Sequence, residues 1–252
     1  MHDRHSPKLS DIAAAITLLT RLPLPHAPGP RASIAASAWA WPIAGALVGA
    51  IGGASALAAG WLSLPPAAAA GLALVAMTVT TGALHEDGLA DCADGFWGGQ
   101  DSARRLEIMT DSRLGSYGAM ALILITGLRW AALAALIAAG TPFWPLVAAA
   151  TLSRAPMLSL ARRLPAARPG GLSAAVGPPG ERAERTGWVI AILALVLLAG
   201  AGALGAFAAV AVLSLWLARQ AVSRIGGQTG DVLGASQQLA EAAALLALAA
   251  AG

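Results

Sequence analysis

Long uncharged stretches and short charged segments alternate along the chain. Residues 32–84, for example, run for more than fifty positions without an Asp, Glu, Lys or Arg. A helix needs about twenty mostly apolar residues to cross a membrane. The pattern predicts seven such helices, two of them divided by a Gly-rich break at 200–202: 37–62, 67–84, 117–139, 143–160, two within 188–218, and 232–251. We therefore expect an all-α fold, a polytopic integral membrane bundle of about six or seven transmembrane helices with short interfacial helices.

The composition supports a membrane protein and excludes several other classes. Hydrophobic residues make up 57% of the 252 residues and charged residues only 12%, whereas a soluble domain carries about a quarter charged residues. No basic patch interleaved with aromatic residues is present, so we expect no nucleic-acid partner. The single Cys92 excludes an internal disulfide. No linker divides the chain, which predicts one integral membrane domain over residues 1–252.

Apart from Arg129 and Arg154, the basic residues lie in four segments that seven alternating helices would place on one face. These segments are 4–31, 104–113, 162–185 and 219–224, whereas the turns at 64–66, 140–142 and 200–205 carry no charge. Because cytoplasmic loops are enriched in Lys and Arg, this face is predicted to be cytoplasmic. The residues before position 20 make a poor signal peptide, because their apolar run is short.

Four acids stand close together at the end of the second predicted helix, in the sequence LHEDGLADCADG (84–95). If the helix continues to Asp94, then Asp87, Asp91 and Asp94 are spaced i, i+4 and i+7 and share one helical face. Like charges at this spacing are destabilising unless a counter-ion neutralises them. Mg²⁺ prefers carboxylate oxygens and phosphate oxygens of a substrate. Glu86 lies about 100° further round the helix, so it need not join them.

Other interpretations of the acids remain open at this stage. They could form a solvated, acidic helix end, or serve an ion pathway, because ionisable groups at a membrane are usually functional. His85 could be a ligand, a base or an interfacial side chain whose hydrogen bonds are satisfied. Cys92 is expected to be a packing residue rather than a metal ligand.

Two further polar segments carry candidate chemistry. Asp111 precedes the third predicted helix and could belong to the site or only cap a helix, while Asp101 is expected to cap a short amphipathic helix at 103–109. Residues 224–231, RIGGQTGD, could hold phosphate or form a flexible turn. Arg129, Arg154 and Glu241 lie inside predicted helices. Buried charges at such positions are expected to be paired or functional.

The order of these motifs along nearly the whole chain resembles the cobalamin synthase family, the adenosylcobinamide-GDP ribazoletransferases. The acidic motif at 84–95 is similar to the hallmark of that family. The other similar segments are LTRLPLP (19–25), WPIAG (41–45), EIMTDSRLG (107–115), SR (153–154), ARPGGL (167–172) and GGQTGDVLGA (226–235).

The resemblance implies a Mg²⁺-dependent enzyme of the bacterial inner membrane, with its active site facing the cytoplasm. Such an enzyme joins adenosylcobinamide-GDP to α-ribazole, or to α-ribazole 5′-phosphate, and releases GMP. The product is adenosylcobalamin or its 5′-phosphate, at the last assembly step of the cobalamin nucleotide loop. A homo-oligomer, or association with other cobalamin-pathway enzymes, is left open.

Applied to these motifs, that chemistry gives each candidate residue a hypothetical role. The metal set consists of Asp87, Asp91 and Asp94, with Glu86 as a further candidate. A proton acceptor is sought among these aspartates, Asp111 and Asp231. The proposed substrate contacts are Arg113, Arg154 and Arg224 as phosphate clamps, the loop residues Gly226, Gly227 and Thr229, and Ser112 and His85.

Two alternatives from other classes complete the predictions. A CDP-alcohol-type membrane phosphotransferase has a motif that begins like residues 87–90, but it then requires Arg where this chain has Asp91. An ion-coupled transporter would use the acids as a cation site, and it predicts acids near the midplane and inverted repeats. The sequence shows neither acids at the midplane nor inverted repeats, although Arg129 and Glu241 keep the transporter alternative open.

Overall fold

A computed structural model describes residues 8–24, 34–169 and 177–252, and all its regular elements in these ranges are helical. Its α-helices are α1 (Leu9–Leu19), α2 (Ile34–Ser37), α3 (Trp41–Trp61), α4 (Pro66–Thr81), α5 (Leu84–Gly98), α6 (Ser102–Ile108), α7 (Ser116–Ala138), α8 (Phe143–Leu152), α9 (Ala155–Arg163), α10 (Glu181–Leu198), α11 (Ala203–Ile225) and α12 (Gly230–Ala251). Single 3₁₀ turns occupy Ala38–Ala40 and Gly200–Gly202. The all-α prediction is confirmed. Pro25 and Gly170–Leu172 of the quoted motifs lie outside the described residues.

Among the described helices, four are long and apolar enough to cross a membrane: Ile34–Trp61, Ser116–Ala138, Gly200–Ile225 and Gly230–Ala251. A fifth candidate is the bent pair α4 and α5. Large apolar side chains cover the outer surface of the bundle, including Val75, Val79, Ile123, Leu124, Val196, Leu197, Leu204, Val212 and Leu215. Such an apolar exterior fits a lipid environment and confirms the prediction of a polytopic membrane bundle. The four or five candidate spans among the described residues are fewer than the six or seven predicted.

Residues 84–98 form a separate helix, α5, which keeps the predicted spacing of the aspartates, but the second predicted helix does not continue to Asp94. It ends at Thr81, and α5 leaves at an angle of 89° to α4. Gly82 and Ala83 both adopt the left-handed conformation, with φ of 64° and 58°. A left-handed residue after the last turn terminates a helix, and the strain at a non-glycine residue shows that neighbouring packing enforces the bend. α5 is too short and too acidic to be a span by itself.

The fourth predicted helix, 143–160, is also interrupted. It divides into α8 and α9 at Ser153 and Arg154. Pro156 lies in the first turn of α9. Proline is tolerated in a first turn, whereas its missing N–H would break the hydrogen-bonding pattern inside a continuous helix. The predicted break at 200–202 and the short helix capped by Asp101 are both confirmed.

Helix α12 lies at the centre of the bundle, and most of its length is buried. It packs against α5, α7, α8 and α11. Helices α3 and α8 approach closely because glycines face the partner backbone. A Cβ atom on Gly45 would lie only 2.3 Å from the carbonyl oxygen of Ala150. Small residues thus allow the close helix contacts that are typical of membrane bundles.

The charged segments meet at one end of the bundle. There the backbone N–H of Arg21 donates to the carbonyl of Thr80 at 2.7 Å. At the same end, Arg105 Nη1 donates to the carbonyl of Arg224 at 3.1 Å. The uncharged turns 140–142 and 198–202 instead line a common cavity of about 670 Å³ with the C-terminal residues. The separation of charged and uncharged segments that the sequence predicts is therefore present.

Candidate active site

The crossing of α5 and α12 brings acids from the two helices together. A Cβ atom on Gly88 would lie 2.8 Å from the carbonyl oxygen of Asp231 and 3.0 Å from its Cα. On the other helix, a Cβ atom on Gly234 would lie 3.3 Å from the Cα of His85. Only glycine allows the two backbones to come this close. Asp231, in the first turn of α12, therefore lies beside the acidic face of α5.

The carboxylates at this crossing carry more negative charge than the neighbouring basic groups balance. Asp87 is exposed, and Asp91 and Asp231 are partly buried. Burial, followed by the charges of Asp87, Asp231 and Asp94, raises the pKa of Asp91 to about 7, while Arg168 opposes this shift. An open, anionic site of this kind favours a cation.

Arg168 is a site residue to which the sequence analysis gave no role. Its Nη2 lies 3.3 Å from Asp231 Oδ2. Its Nη1 is buried and has no hydrogen-bond partner among the described residues. A buried donor without a partner is costly, so this nitrogen is a candidate for binding an anionic substrate group. The signal in the sequence was the basic residue within ARPGGL, one of the quoted motifs.

A backbone bridge positions Arg168 beside the N-terminus of α12. The N–H of Ala167 donates to the carbonyl of Gln228 at 2.9 Å, and the N–H of Gln228 donates to that of Pro165 at 2.8 Å. A Cβ atom on Gly227 would lie 2.1 Å from the Pro165 oxygen. Gly227, predicted to contact phosphate, is therefore required for this close backbone contact.

The other residues of the 224–231 segment cap helices. Gly226 ends α11 in the left-handed conformation, with φ of 79°. Thr229 is the N-cap of α12, and its Oγ1 accepts from the N–H of Val232 at 3.3 Å. The same hydroxyl donates to Asp231 Oδ2 at 3.1 Å. Thr229 thus orients Asp231. Gly226 ends a helix, as the prediction of a turn at residues 224–231 requires, and need not hold phosphate.

Asp94 binds backbone rather than projecting freely with Asp87 and Asp91. Its Oδ2 accepts from the N–H of Gly115 at 2.8 Å, and its Oδ1 accepts from the N–H of Gly118 at 2.9 Å. These amides belong to the N-terminus of α7, where a carboxylate is favourable. Asp94 therefore fixes α7 against α5. The i, i+4, i+7 spacing did not reveal this because the partner glycines are more than twenty residues away.

Glu86, a predicted metal candidate, faces away from the three aspartates. Its Oε1 lies 3.3 Å from Arg129 Nη1 and 3.3 Å from Thr78 Oγ1. The angular offset along α5 turns this side chain towards α4 and α7. The structure therefore separates Glu86 from the acidic cluster.

Two of the predicted substrate contacts are buried in the bundle. Arg154 is 2% exposed. Its Nη1 donates to Glu241 Oε2 at 2.7 Å and to the Ala150 carbonyl at 2.9 Å. His85 is 1% exposed and lies in the contact between α5 and α12. Neither side chain is open to a substrate phosphate in this arrangement.

Arg224 ties α11 to the end of α5. Its guanidinium carbon lies 4.6 Å from the ring centroid of Trp97, and its Nη1 donates to the Phe96 carbonyl at 2.6 Å. Its Nε donates to Gln220 at 2.8 Å. These hydrogen bonds occupy two of the five N–H donors of the guanidinium, so the predicted contact of Arg224 with phosphate stays a prediction.

Asp111, Ser112 and Arg113 lie in the loop between α6 and α7. Arg113 Nη2 is 2.6 Å from Asp111 Oδ2. Hydrogen bonds from Arg113 lower the pKa of Asp111 to about 2. Ser112 and Arg113 are exposed. The pair is therefore a local ion pair on the surface, and its predicted part in binding stays a prediction.

The described residues contain no group of three or more His, Cys, Asp or Glu side chains arranged to hold a metal. The predicted metal set of Asp87, Asp91 and Asp94 with Glu86 is therefore not assembled among the described residues, and Mg²⁺ binding stays a prediction. The donor type fits that ion, and the excess of carboxylates over Arg168 fits a cation.

Two comparisons with known proteins, one with family profiles and one with individual relatives, identify the same family. The profile of the cobalamin-5-phosphate synthase family matches residues 11–249. Relatives named adenosylcobinamide-GDP ribazoletransferase include those of Azorhizobium caulinodans, 46% identical over 96% of each chain, and Bradyrhizobium diazoefficiens, 44% identical over 96% of this chain and 94% of the relative. The Mesorhizobium japonicum relative is 43% identical over 94% of this chain and 92% of its own. No solved structure matched the chain. The chain belongs to the cobalamin-5-phosphate synthase family.

Proposed function

We propose that this chain is a membrane transferase that joins adenosylcobinamide-GDP to α-ribazole, or to α-ribazole 5′-phosphate, and releases GMP. Membership of the family supports the reaction, and one structural observation supports the site. Asp87, Asp91, Asp231 and Arg168 meet where α5 crosses α12, at the charged end of the bundle and open to solvent. The positive-inside rule favours a cytoplasmic position for this end in the bacterial inner membrane.

The reaction replaces one bond to phosphorus by another. A ribose hydroxyl oxygen of the ribazole attacks the phosphorus attached to the corrinoid, and the bond from that phosphorus to the bridging oxygen breaks. The 5′-oxygen is not the nucleophile, because it already carries the phosphate in α-ribazole 5′-phosphate. The bridging oxygen leaves with GMP and keeps the bonding electrons. Such a reaction needs alignment and charge neutralisation more than covalent help from the protein.

Asp87 and Asp91 are the residues that we assign to Mg²⁺. They are one turn apart on the same face of α5, where burial, followed by the negative charges of the neighbouring aspartates, raises the pKa of Asp91. When bound, Mg²⁺ supplies charge neutralisation for the pyrophosphate and the leaving group. This assignment replaces Asp94, whose two oxygens are engaged by α7.

Asp231 and Arg168 would act from the other side of the crossing. The carboxylate of Asp231, oriented by Thr229, accepts the proton of the attacking hydroxyl. The unpartnered Nη1 of Arg168 binds a pyrophosphate oxygen, as the fork of guanidinium donors allows. Arg168 takes the clamp role predicted for Arg154, which is buried in the bundle.

Purified protein in lipid nanodiscs, supplied with adenosylcobinamide-GDP and α-ribazole, tests this proposal. We expect adenosylcobalamin and GMP in equal amounts with Mg²⁺ and neither with EDTA. Absence of product from folded protein with intact substrates would refute the proposed reaction. Product that still forms in EDTA would refute the assignment of Asp87 and Asp91 to Mg²⁺, but it would support the proposed reaction.

A further inference from the structure

Three charged side chains are buried away from the substrate-accessible acids. Glu241 is fully buried in the middle of α12, and Arg129 and Arg154 are each 2% exposed. Glu241 Oε1 lies 2.5 Å from Arg129 Nη2, and its Oε2 lies 2.7 Å from Arg154 Nη1. Glu241 therefore connects α12 to α7 and to the junction between α8 and α9.

Glutamines extend this network along α12. Gln238 Oε1 accepts from Arg129 Nη1 at 2.6 Å. Gln237 Nε2 donates to Glu241 Oε2 at 2.7 Å, and Gln238 Nε2 donates to Gln237 Oε1 at 2.9 Å. Successive side chains on one helix thus bind one another and Arg129, whose Nε alone is buried without a hydrogen-bond partner among the described residues.

Glu86 joins α5 to the network and balances its charge. Its Oε1 lies 3.3 Å from Arg129 Nη1. Thr78 of α4 donates to the same oxygen at 3.3 Å. The network then contains two carboxylates and two guanidinium groups, and it connects four parts of the bundle.

Stability alone does not explain such a network. Well-packed apolar residues in place of a buried ion pair are often equally stable or more stable. The positions of the charges point to another role. Glu86 directly precedes Asp87, and Glu241 lies on the helix that carries Asp231. Both acids therefore hold the helices that supply the two halves of the active site.

We propose that the Glu86–Arg129–Glu241–Arg154 network is a positioning device that sets the placement of α5 relative to α12. This inference rests on the proposed function, because the acids that it positions are those assigned to Mg²⁺ and proton transfer. None of the four side chains touches the substrate in this account. They act through Asp87, Asp91 and Asp231.

Glu86→Gln is the most informative variant. It removes the charge at the partly open edge of the network and keeps an acceptor for Arg129 and Thr78. Glu241→Gln is less suitable because Glu241 is fully buried and contacts both guanidinium groups, whereas Glu86 is partly exposed and contacts only Arg129, at the longer distance of 3.3 Å. Glu181→Gln is the matched control, since it removes an exposed Glu–Arg pair of α10 at i, i+4.

Mn²⁺ binding to the nanodisc-embedded protein without substrate, followed by electron paramagnetic resonance, supplies a readout that does not depend on catalysis. We expect Glu86→Gln to bind Mn²⁺ about tenfold more weakly, as is typical when a supporting contact of a metal site is lost. Its melting temperature should remain close to that of the unaltered protein. Glu181→Gln should change neither quantity.

Thr78→Val supplies a second, uncharged test of the same contact. It removes the second hydrogen bond to Glu86 and should weaken Mn²⁺ binding by a smaller factor, about twofold to threefold. Unchanged Mn²⁺ affinity in both variants, or affinity that falls only in parallel with thermal stability, would overturn the positioning role. Failure of the unaltered protein to bind Mn²⁺ would instead refute the metal assignment in the proposed function.

Discussion

Gly88 is the position at which a single added carbon atom should separate the two halves of the site. In Gly88→Ala the new Cβ would lie 2.8 Å from the Asp231 carbonyl oxygen. Ordinary contact begins at 3.4 Å, so the backbones must part by about 0.6 Å. The atoms in the way are backbone atoms of α12, which cannot rotate aside as a flexible side chain would.

The expected losses in activity and stability differ in size. A misplacement of 1 Å can cost about 100-fold in rate, so a shift of about 0.6 Å should lower kcat/KM roughly tenfold. Overpacking costs about 1–3 kcal/mol, and the better helix propensity of alanine offsets about 1 kcal/mol of that. The variant should therefore remain folded while its activity falls.

Gly127→Ala is the matched control in the same type of element. Gly127 lies within α7, and a Cβ there would meet nothing within 4 Å. We expect unchanged activity and equal or slightly higher thermal stability. Gly234→Ala should fall between the two, because its closest contacts would be 3.3 Å. Activity in nanodiscs and melting temperature are measured for all three variants. Unaltered kcat/KM in Gly88→Ala would refute the idea that this crossing sets the site.

The remaining predictions concern side chains. Asp91→Asn should lower Mg²⁺-dependent turnover at least about 100-fold with little loss of stability, and an unchanged Mg²⁺ titration would contradict its ligand role. Arg168→Ala should raise KM for adenosylcobinamide-GDP at least about tenfold, whereas an unchanged KM would remove it from the clamp. Glu241→Gln should lower the free energy of unfolding by about 3–5 kcal/mol, measured by denaturation in detergent, while Glu181→Gln should have almost no effect. Equal free energies of unfolding for Glu241→Gln and Glu181→Gln would contradict the presence of a buried ion-pair network at Glu241.

The class of fold and the ends of most helices could be predicted from the sequence. Uncharged runs of about twenty residues are a strong and local signal. The break at 200–202 was predictable for the same reason, since the glycines stand out in the run. The 89° bend after Thr81 was not, because the left-handed conformation of Ala83 is imposed by packing.

The candidate site was predicted in part. The face shared by Asp87 and Asp91 follows from helical spacing alone. The presence of Asp231 and Arg168 beside it depends on the contact between α5 and α12, which periodicity does not encode. The same limit explains why Arg154 was predicted to bind substrate. Its charge inside a helix indicated a function, but its partner Glu241 lies 87 positions away and could not be found from the sequence pattern.

A double-mutant cycle of Asp91→Asn and Asp231→Asn tests most directly whether the α5–α12 crossing is the active site. kcat/KM is measured in nanodiscs at saturating Mg²⁺ for the unaltered protein, both single variants and the double variant. Residues that act as a unit are strongly non-additive. We predict that each single variant loses most of the activity and that the double variant loses little more. Multiplying effects, or an Asp231→Asn variant with unaltered kcat/KM, would contradict a site shared by the two helices.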